Sequence, residues 1–261
     1  MFWNSRDLIV RMSFSKLELF EFCPFAYRLR YVERMRVPFS QSLAVGSIVH
    51  AVLRTFFEKL RMDPHVSYED FKSIHEDYWS NAPVLEPQRF PEVWSACSDL
   101  LATFWSANQN NFGSPIMLEH RFRLRMDKCD SHTVEGVIDR VDKTPSGVEI
   151  IDYKSGGKPP SLHLRQKTQL HTYALALERG FQHSVGRLTV YYLKDNKTIS
   201  MEPDDEFAHA LLGRYRAAGA AIVKNSFAPT PDSRCISCDF RNRCPHRWTV
   251  PSQTSNSPAS Q

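Results

Sequence analysis

The sequence predicts an α/β fold: a central mixed sheet flanked by helices, with a helical insertion at about residues 51–113. Three observations predict it. Apolar residues recur at helical spacing from 41 to 62, the pattern changes to period two between 116 and 154, and a helical stretch at 165–179 separates those strands from another at 187–193. Hydrophobic residues make up 42% of the 261 and aromatics 12%, enough to bury the core of one large domain.

Taken in order, residues 1–12 read as a flexible leader, with Met12 as an alternative start, and the domain is expected to span 13–248. Ser15-x-x-Glu18 ahead of Leu19 and Phe20 has the form of a capping box. It opens a short aromatic helix through Cys23, Phe25, Tyr27 and Tyr31. In 41–62, Ile48, Val49, Val52, Leu53, Phe56, Phe57 and Leu60 form an apolar face, while Gly46, His50 and Arg54, four apart, form a second. From 64 to 113 the chain reads as helical, broken by Pro64, Pro83, Pro87 and Pro91, with Trp79, Trp94 and Trp105 as packing residues. In 116–126, Ile116, Leu118, Phe122, Leu124 and Met126 alternate with Glu119, Arg121, Arg123 and Arg125, as in a strand with one buried face. A turn at 127–132, a strand at 133–142, a Thr-Pro-Ser-Gly turn at 144–147 and a strand at 148–154 follow. Gly180 is expected to end the 165–179 helix, and Asp204 to cap a last helix reaching about 224. Between them lie the 187–193 strand, a turn at 195–197 and a short strand. Residues 249–261 are polar and low in complexity, and are expected to be disordered.

A net charge of +4 is too mild to identify a partner; the distribution of charge matters more. No apolar run approaches the roughly 20 residues of a membrane span. The first residues lack the apolar core and cleavage site of a secretory signal, so the cytoplasm is the expected location. Six cysteines in a chain this long are no disulfide scaffold, and in a reducing compartment clustered cysteines more often bind metal. There is no G-x-x-x-x-G-K-[ST] motif, so the chain carries no P-loop motor.

The local chemistry concentrates on Val148–Lys154, VEIIDYK. Alternation along a strand puts Asp152 and Lys154 on one side. By themselves they read first as a plain cross-strand or surface ion pair. The neighbouring strand adds Asp139 after Gly136, and the tight turn brings it back against the third strand. Two carboxylates held together are costly without a cation between them, and hard oxygen ligands select magnesium, manganese or calcium. Alternatively, Asp139 is a surface acid paired with Arg140 or Lys143. His50 is a third candidate ligand, with Gly46 one turn before it leaving room for an approaching group. Gln169 and Tyr173 share a helix face.

The order Gly46-x-x-x-His50, Gly136-x-x-Asp139, Asp152-x-Lys154, Gln169-x-x-x-Tyr173 resembles the RecB-like branch of the PD-(D/E)xK nucleases, including the stand-alone Cas-four type and the nuclease modules of helicase–nuclease repair enzymes. The resemblance runs from about Ser15 to Cys244. Ile138 replaces the family's proline before the first acid, and the second acid is Asp. The resemblance implies a restriction-endonuclease-like core in which His50, Asp139, Asp152 and the Tyr153 carbonyl hold Mg2+ or Mn2+. It implies that Lys154 positions the attacking water and that Gln169 and Tyr173 orient the site. Glu119 either assists or is a simple exposed acid.

Cys235-x2-Cys238-x5-Cys244 is the second signal. A four-coordinate site needs one more ligand. Cys23 is a candidate, and for a zinc site so is His246. The resemblance implies a [4Fe–4S] cluster on Cys23, Cys235, Cys238 and Cys244, clasping the two ends of the domain and leaving Cys97 and Cys129 as ordinary thiols. Basic residues gather after the third strand, and Lys158, Arg165 and Lys167 are the expected phosphate contacts. These readings predict a metal-dependent DNA nuclease, an exonuclease on single-stranded ends, serving repair and recombination or CRISPR adaptation beside a separate helicase or CRISPR integration proteins. The alternative is a non-catalytic DNA-binding or iron–sulfur structural subunit, which a metal-dependent cleavage assay separates from it.

Overall fold

The computed structural model describes residues 10–80, 90–126 and 132–249. Its centre is one mixed sheet of β1 (Val10–Met12), β2 (Pro115–Arg125), β3 (His132–Thr144), β4 (Gly147–Lys154), β5 (Val185–Tyr192) and β6 (Lys197–Met201), in the order β1-β3-β4-β5-β6 with β2 on β3. β2 with β3, β3 with β4 and β5 with β6 pair antiparallel, whereas β4 and β5 run parallel, and the turn expected at 127–132 lies almost wholly outside the described residues. Parallel neighbours need a crossover, and helix α6 (Leu164–Phe181) supplies it. The β3–β4 turn closes on Gly147, whose φ of 123° suits a residue without Cβ.

The long β3 organises the sheet. β2 follows one edge from Thr133 to Asp142. The other edge is divided: β1 pairs in parallel with His132–Val134, and β4 pairs with Arg140–Thr144. On that edge residues 135–139 have no strand partner among the described residues, so the sheet forks just before Arg140↔Ile151.

Two cores lie on opposite faces. One packs Val134, Ile138, Val148, Ile150, Leu188 and Val190 against α1 (Phe14–Phe22), α6 and α7 (Asp205–Val223). The other packs Ile151, Tyr153 and Leu193 against α3 (Gln41–Met62), α4 (Tyr68–Ser80) and α5 (Pro91–Asn108). The apolar face of α3 is fully buried there, from Ile48 to Phe57, and Ser40 caps its start through its hydroxyl. At about 25 cal/mol per Å2 of buried apolar surface, each such side chain contributes on the order of 1.5–3 kcal/mol. Between α1 and α3 lies α2 (Pro24–Tyr27), which continues as a π-turn over Arg28–Val32. Among the described residues no helix is long and apolar enough to cross a membrane.

Several expectations are corrected. Val10–Met12 are not leader: they form β1, with Met12 only 1% exposed. Helix α1 starts two residues early, capped by Ser13, whose hydroxyl accepts from the Lys16 amide. Burying Phe14 and Leu17 favours that start, and Glu18 turns to Arg165 instead of closing a box with Ser15. Helix α6 runs past Gly180 and ends on Gln182 in the left-handed region at φ 57°. Within the expected insertion at 51–113 the described residues hold the rest of α3, α4 and α5, but its boundary falls inside α3, which begins at Gln41, and residues 81–89 with Pro83 and Pro87 lie outside the described residues. Within β2, Leu118 faces the α3 core while Phe122 and Leu124 face the other, so one parity does not hold. The change occurs across Glu119, whose φ is 43°. Residues 1–9, Cys129 and nearly all of the 249–261 tail lie outside the described residues.

Candidate active site

The side chains singled out on β3, β4 and α3 meet at the fork. Past Arg140↔Ile151 the β3–β4 ladder stops, and the Asp139 carboxylate takes over by accepting the Tyr153 amide at 2.9 Å. Helix α3 crosses above. Its His50 Nε2 lies 3.1 Å from the Tyr153 carbonyl, and its Nδ1 lies 3.4 Å from Asp139 Oδ1 and 3.7 Å from Glu119 Oε1. The unusual backbone at Glu119 brings that carboxylate into the group; a non-glycine residue at positive φ is a costly conformation that the surrounding structure must enforce.

Among the described residues, His50, Glu119 and Asp139 are the one group of three or more His, Cys, Asp or Glu side chains whose donor atoms lie within 4.8 Å of one another. Asp152 stands beside this group rather than within it. Its Oδ2 receives Lys154 Nζ at 2.7 Å, and its Oδ1 is buried without a hydrogen-bond partner. A buried carboxylate oxygen left unpaired costs about 1–3 kcal/mol or more, and a cation would relieve that. The Tyr153 carbonyl is engaged by His50 and keeps a second lone pair. These donors, carboxylate and carbonyl oxygens with one imidazole, suit a hard divalent cation.

The electrostatics agree. Burial disfavours a charged His50, but the Asp139 carboxylate, Glu119 and Asp152 outweigh it and raise its pKa to about 10. In the metal-free protein the imidazolium therefore balances part of the carboxylate charge. Burial raises Asp152 to about 6, with Lys154 opposing the rise and Asp139 adding to it. Lys154 Nζ also donates to Gln169 Oε1 at 3.0 Å, and Gln169 Nε2 donates to the Tyr173 hydroxyl at 2.7 Å. Burial and the nearby Asp152 and Asp139 hold the Tyr173 phenol well above its ordinary pKa, so it stays neutral.

Beneath the site, Arg140 ties β3 to β4. It does not pair with Asp139; it grips Asp142 through Nε and Nη2, donates to the Tyr153 hydroxyl at 3.1 Å and to the Phe112 carbonyl at 2.6 Å, and lies 4.3 Å over the Phe57 ring. Above it opens a cleft of about 960 Å3, walled on one side by α3 and on the other by the start of α6. Of the three expected phosphate contacts, Arg165 lines this cleft, while Lys158 and Lys167 do not. Arg54, one turn past His50, lines it too and was not singled out as a site residue; only its place on the His50 face of α3 signalled it.

Cys23, Cys235, Cys238 and Cys244 line a separate small cavity between the start of α2 and the C-terminal loop, with His246 edge-on to Phe25 at 4.9 Å. Ala26, Leu29 and Phe240 form an apolar nucleus beside it. The sulfurs share the cavity but do not converge to within 4.8 Å as a group. Cys97 is apart, fully buried in the α3 core.

The profile of the PD-(D/E)XK nuclease superfamily fits residues 11–245. The chain is 23% identical over 273 residues to one of the subunits of the ATP-dependent helicase/deoxyribonuclease of Clostridioides difficile (strain 630), covering 88% of this chain and 24% of that one. It is 25% identical over 140 residues to the CRISPR-associated exonuclease Cas4 of Francisella tularensis subsp. novicida (strain U112), covering 53% and 68%. The fold resembles the crystal structure of a candidate exonuclease of Eubacterium rectale, with a TM-score of 0.56 at 11% identity over 95% of this chain and 94% of that one. The chain spans a quarter or less of the helicase-type relatives it matches.

Proposed function

The chain belongs to the PD-(D/E)XK nuclease superfamily, and on that premise we propose that it is a metal-dependent exonuclease that hydrolyses DNA phosphodiester bonds from single-stranded ends. One observation carries the catalytic reading: His50, Glu119 and Asp139 converge beside the unpaired buried Oδ1 of Asp152 and the ammonium of Lys154. His50, Asp139 and Asp152, joined by Glu119 and the free lone pair of the Tyr153 carbonyl, would hold Mg2+ or Mn2+. Such a cation lowers the pKa of water and polarises a phosphoryl oxygen. Lys154 is held between Asp152 and Gln169, so its charge is fixed at the place where negative charge develops on the phosphate and where the attacking water must be oriented. Gln169 positions Lys154, and the neutral Tyr173 hydroxyl positions Gln169.

The proposed setting is DNA repair and recombination or CRISPR adaptation in the cytoplasm, with a separate helicase or CRISPR integration proteins as partners; one relative is named as a helicase/deoxyribonuclease subunit and another as a CRISPR-associated exonuclease. Cys23, Cys235, Cys238 and Cys244 are read as ligands of a [4Fe–4S] cluster. Zinc at about 2.3 Å from tetrahedral thiolates would draw the sulfurs to about 3.8 Å from one another. In this reading the four cysteines that line one cavity are the ligands of the larger cubane.

The test is cleavage of linear single-stranded DNA by purified protein with Mg2+ or Mn2+. Asp152→Ala and Lys154→Ala are expected to lose cleavage by at least 100-fold while remaining folded, the scale of removing a transition-state contact. Full activity in either folded variant removes this assignment. Cutting of closed circular single strands as efficiently as linear ones makes the protein an endonuclease instead.

A further inference from the structure

Two arginines face each other across the cleft in the same manner. On the α3 wall, Arg54 Nε donates to Glu58 Oε1 at 2.9 Å. On the α6 wall, the Arg165 Nε pairs with Glu18 Oε1 at 2.8 Å. In each case one carboxylate oxygen fixes the inner edge of the guanidinium. Among the described residues, the Nη groups of both have no hydrogen-bond partner. Both side chains are more than half exposed, at 53% and 68%. Arg54 lies one turn beyond His50 and within electrostatic reach of Glu119, which places it next to the metal group. The helix surface around it is low: a Cβ added at Gly46 would meet nothing within 4 Å, and Ser47 and Ala51 continue the same wall.

An arginine oriented through Nε and free at both Nη groups presents two parallel N–H donors, the geometry that engages a phosphate bidentately. We propose that Arg54 and Arg165 form a two-sided clamp on the phosphates that flank the scissile one, with Arg54 as a positioning contact that sets the register of the strand over the metal group. This rests on the nuclease reading above. Glu58 and Glu18 each hold a guanidinium by its Nε edge at the wall of the cleft. The clamp reads no sequence, because phosphate contacts position a strand without distinguishing bases.

The experiment compares Arg54→Ala, Arg54→Lys and Arg61→Ala with the wild-type chain. Arg61 is an exposed arginine on the same helix outside the cleft, and it controls for a general loss of charge. Binding of a fluorescent 12-nucleotide oligothymidine is measured by anisotropy over a salt series, with Ca2+ replacing Mg2+. Loss of one phosphate contact on a single strand lowers the slope of log affinity against log salt by about 0.7. Arg54→Ala is expected to show that loss, while Arg54→Lys keeps the slope and Arg61→Ala leaves it unchanged. In Mg2+ kinetics on the same oligonucleotide, Arg54→Ala is expected to raise KM about tenfold with kcat within threefold, and Arg54→Lys to recover only part of that. An Arg54→Ala slope equal to wild type, or an equal loss in Arg61→Ala, overturns the clamp in an active enzyme. Absence of metal-dependent cleavage in the wild type removes the nuclease reading first, and the clamp with it.

Discussion

Arg140→Met tests the buttress under the site. Arg140 and Asp142 are 5% and 7% exposed, and the guanidinium serves Asp142, the Tyr153 hydroxyl, the Phe112 carbonyl and the Phe57 ring together. Methionine fills comparable volume but leaves Asp142 buried with only the Ser114 amide, 3.2 Å away. Breaking a buried pair by removing one partner costs about 3–5 kcal/mol. For a domain of this size that corresponds to a drop in melting temperature of roughly 6–20 °C. With a denaturant slope near 3 kcal/mol per molar, the urea midpoint falls by about 1–1.7 M. Urea unfolding followed by circular dichroism checks this. The double variant Arg140→Met with Asp142→Leu replaces the pair by apolar side chains and is expected to recover most of the loss, because much of the penalty is the stranded carboxylate. A midpoint within 0.3 M of wild type for Arg140→Met, or a double variant no better than the single, would refute the claim that the buried charge pair on β3 stabilises the fold.

Three further outcomes are expected. His50 has its pKa raised to about 10, so in the metal-free protein its ion-pair contribution is fully present below about pH 6.5 and is lost as pH rises through 10. A cation on Nδ1 must displace that proton, so calorimetry should show about one proton released per Mn2+ and affinity rising close to tenfold per pH unit between pH 6 and 8; pH-independent binding contradicts His50 as a ligand. Gln169→Leu leaves Lys154 tied to Asp152 alone, and is expected to lower kcat by about tenfold to 100-fold with little change in melting temperature; an unchanged kcat means that Gln169 does not position the lysine. Anaerobically purified protein should contain about four irons, lose them in Cys23→Ala as in Cys238→Ala, and keep them in Cys97→Ala, whereas one zinc retained in Cys23→Ala overturns the cluster.

Much of this arrangement was legible because strong local patterns agree with the tertiary structure. The apolar face of α3 and the alternation in β4 are what the cores require, so His50, Asp152 and Lys154 could be placed on their elements from spacing alone. The misreadings have physical causes. Ser13 and Ser15 both offer caps, and burial of Phe14 decided between them. Gly180 and Gln182 compete for the helix end, and the observed left-handed cap two residues on returns its amide to Leu177. The parity of β2 fails at Glu119 because a local backbone reversal sends its carboxylate toward His50, and no composition signal encodes that. The choice of Asp142 over Asp139 by Arg140 depended on where β4 leaves β3, a long-range property of the sheet. The same limit applied to the cysteines: spacing suggested one site, while their separation is set by how α2 meets the C-terminal loop.

The sheet separates two cores, and the candidate site draws on both sides of that division. His50 arrives on a helix whose apolar face belongs to one core, whereas Asp139 and Asp152 sit on strands that serve both, with Ile138 and Ile150 in one core and Ile151 and Tyr153 in the other. Folding units can open independently at free energies below that of global unfolding. If the helical lobe opens while the sheet holds, the imidazole leaves and the carboxylates remain behind as an incomplete set. Cleavage competence is therefore a coincidence signal that both halves are folded, and inactivation on heating should precede loss of sheet structure. A cation bound across the division stabilises the assembled state by mass action, so raising its concentration should narrow the gap between the temperature of inactivation and the temperature of unfolding.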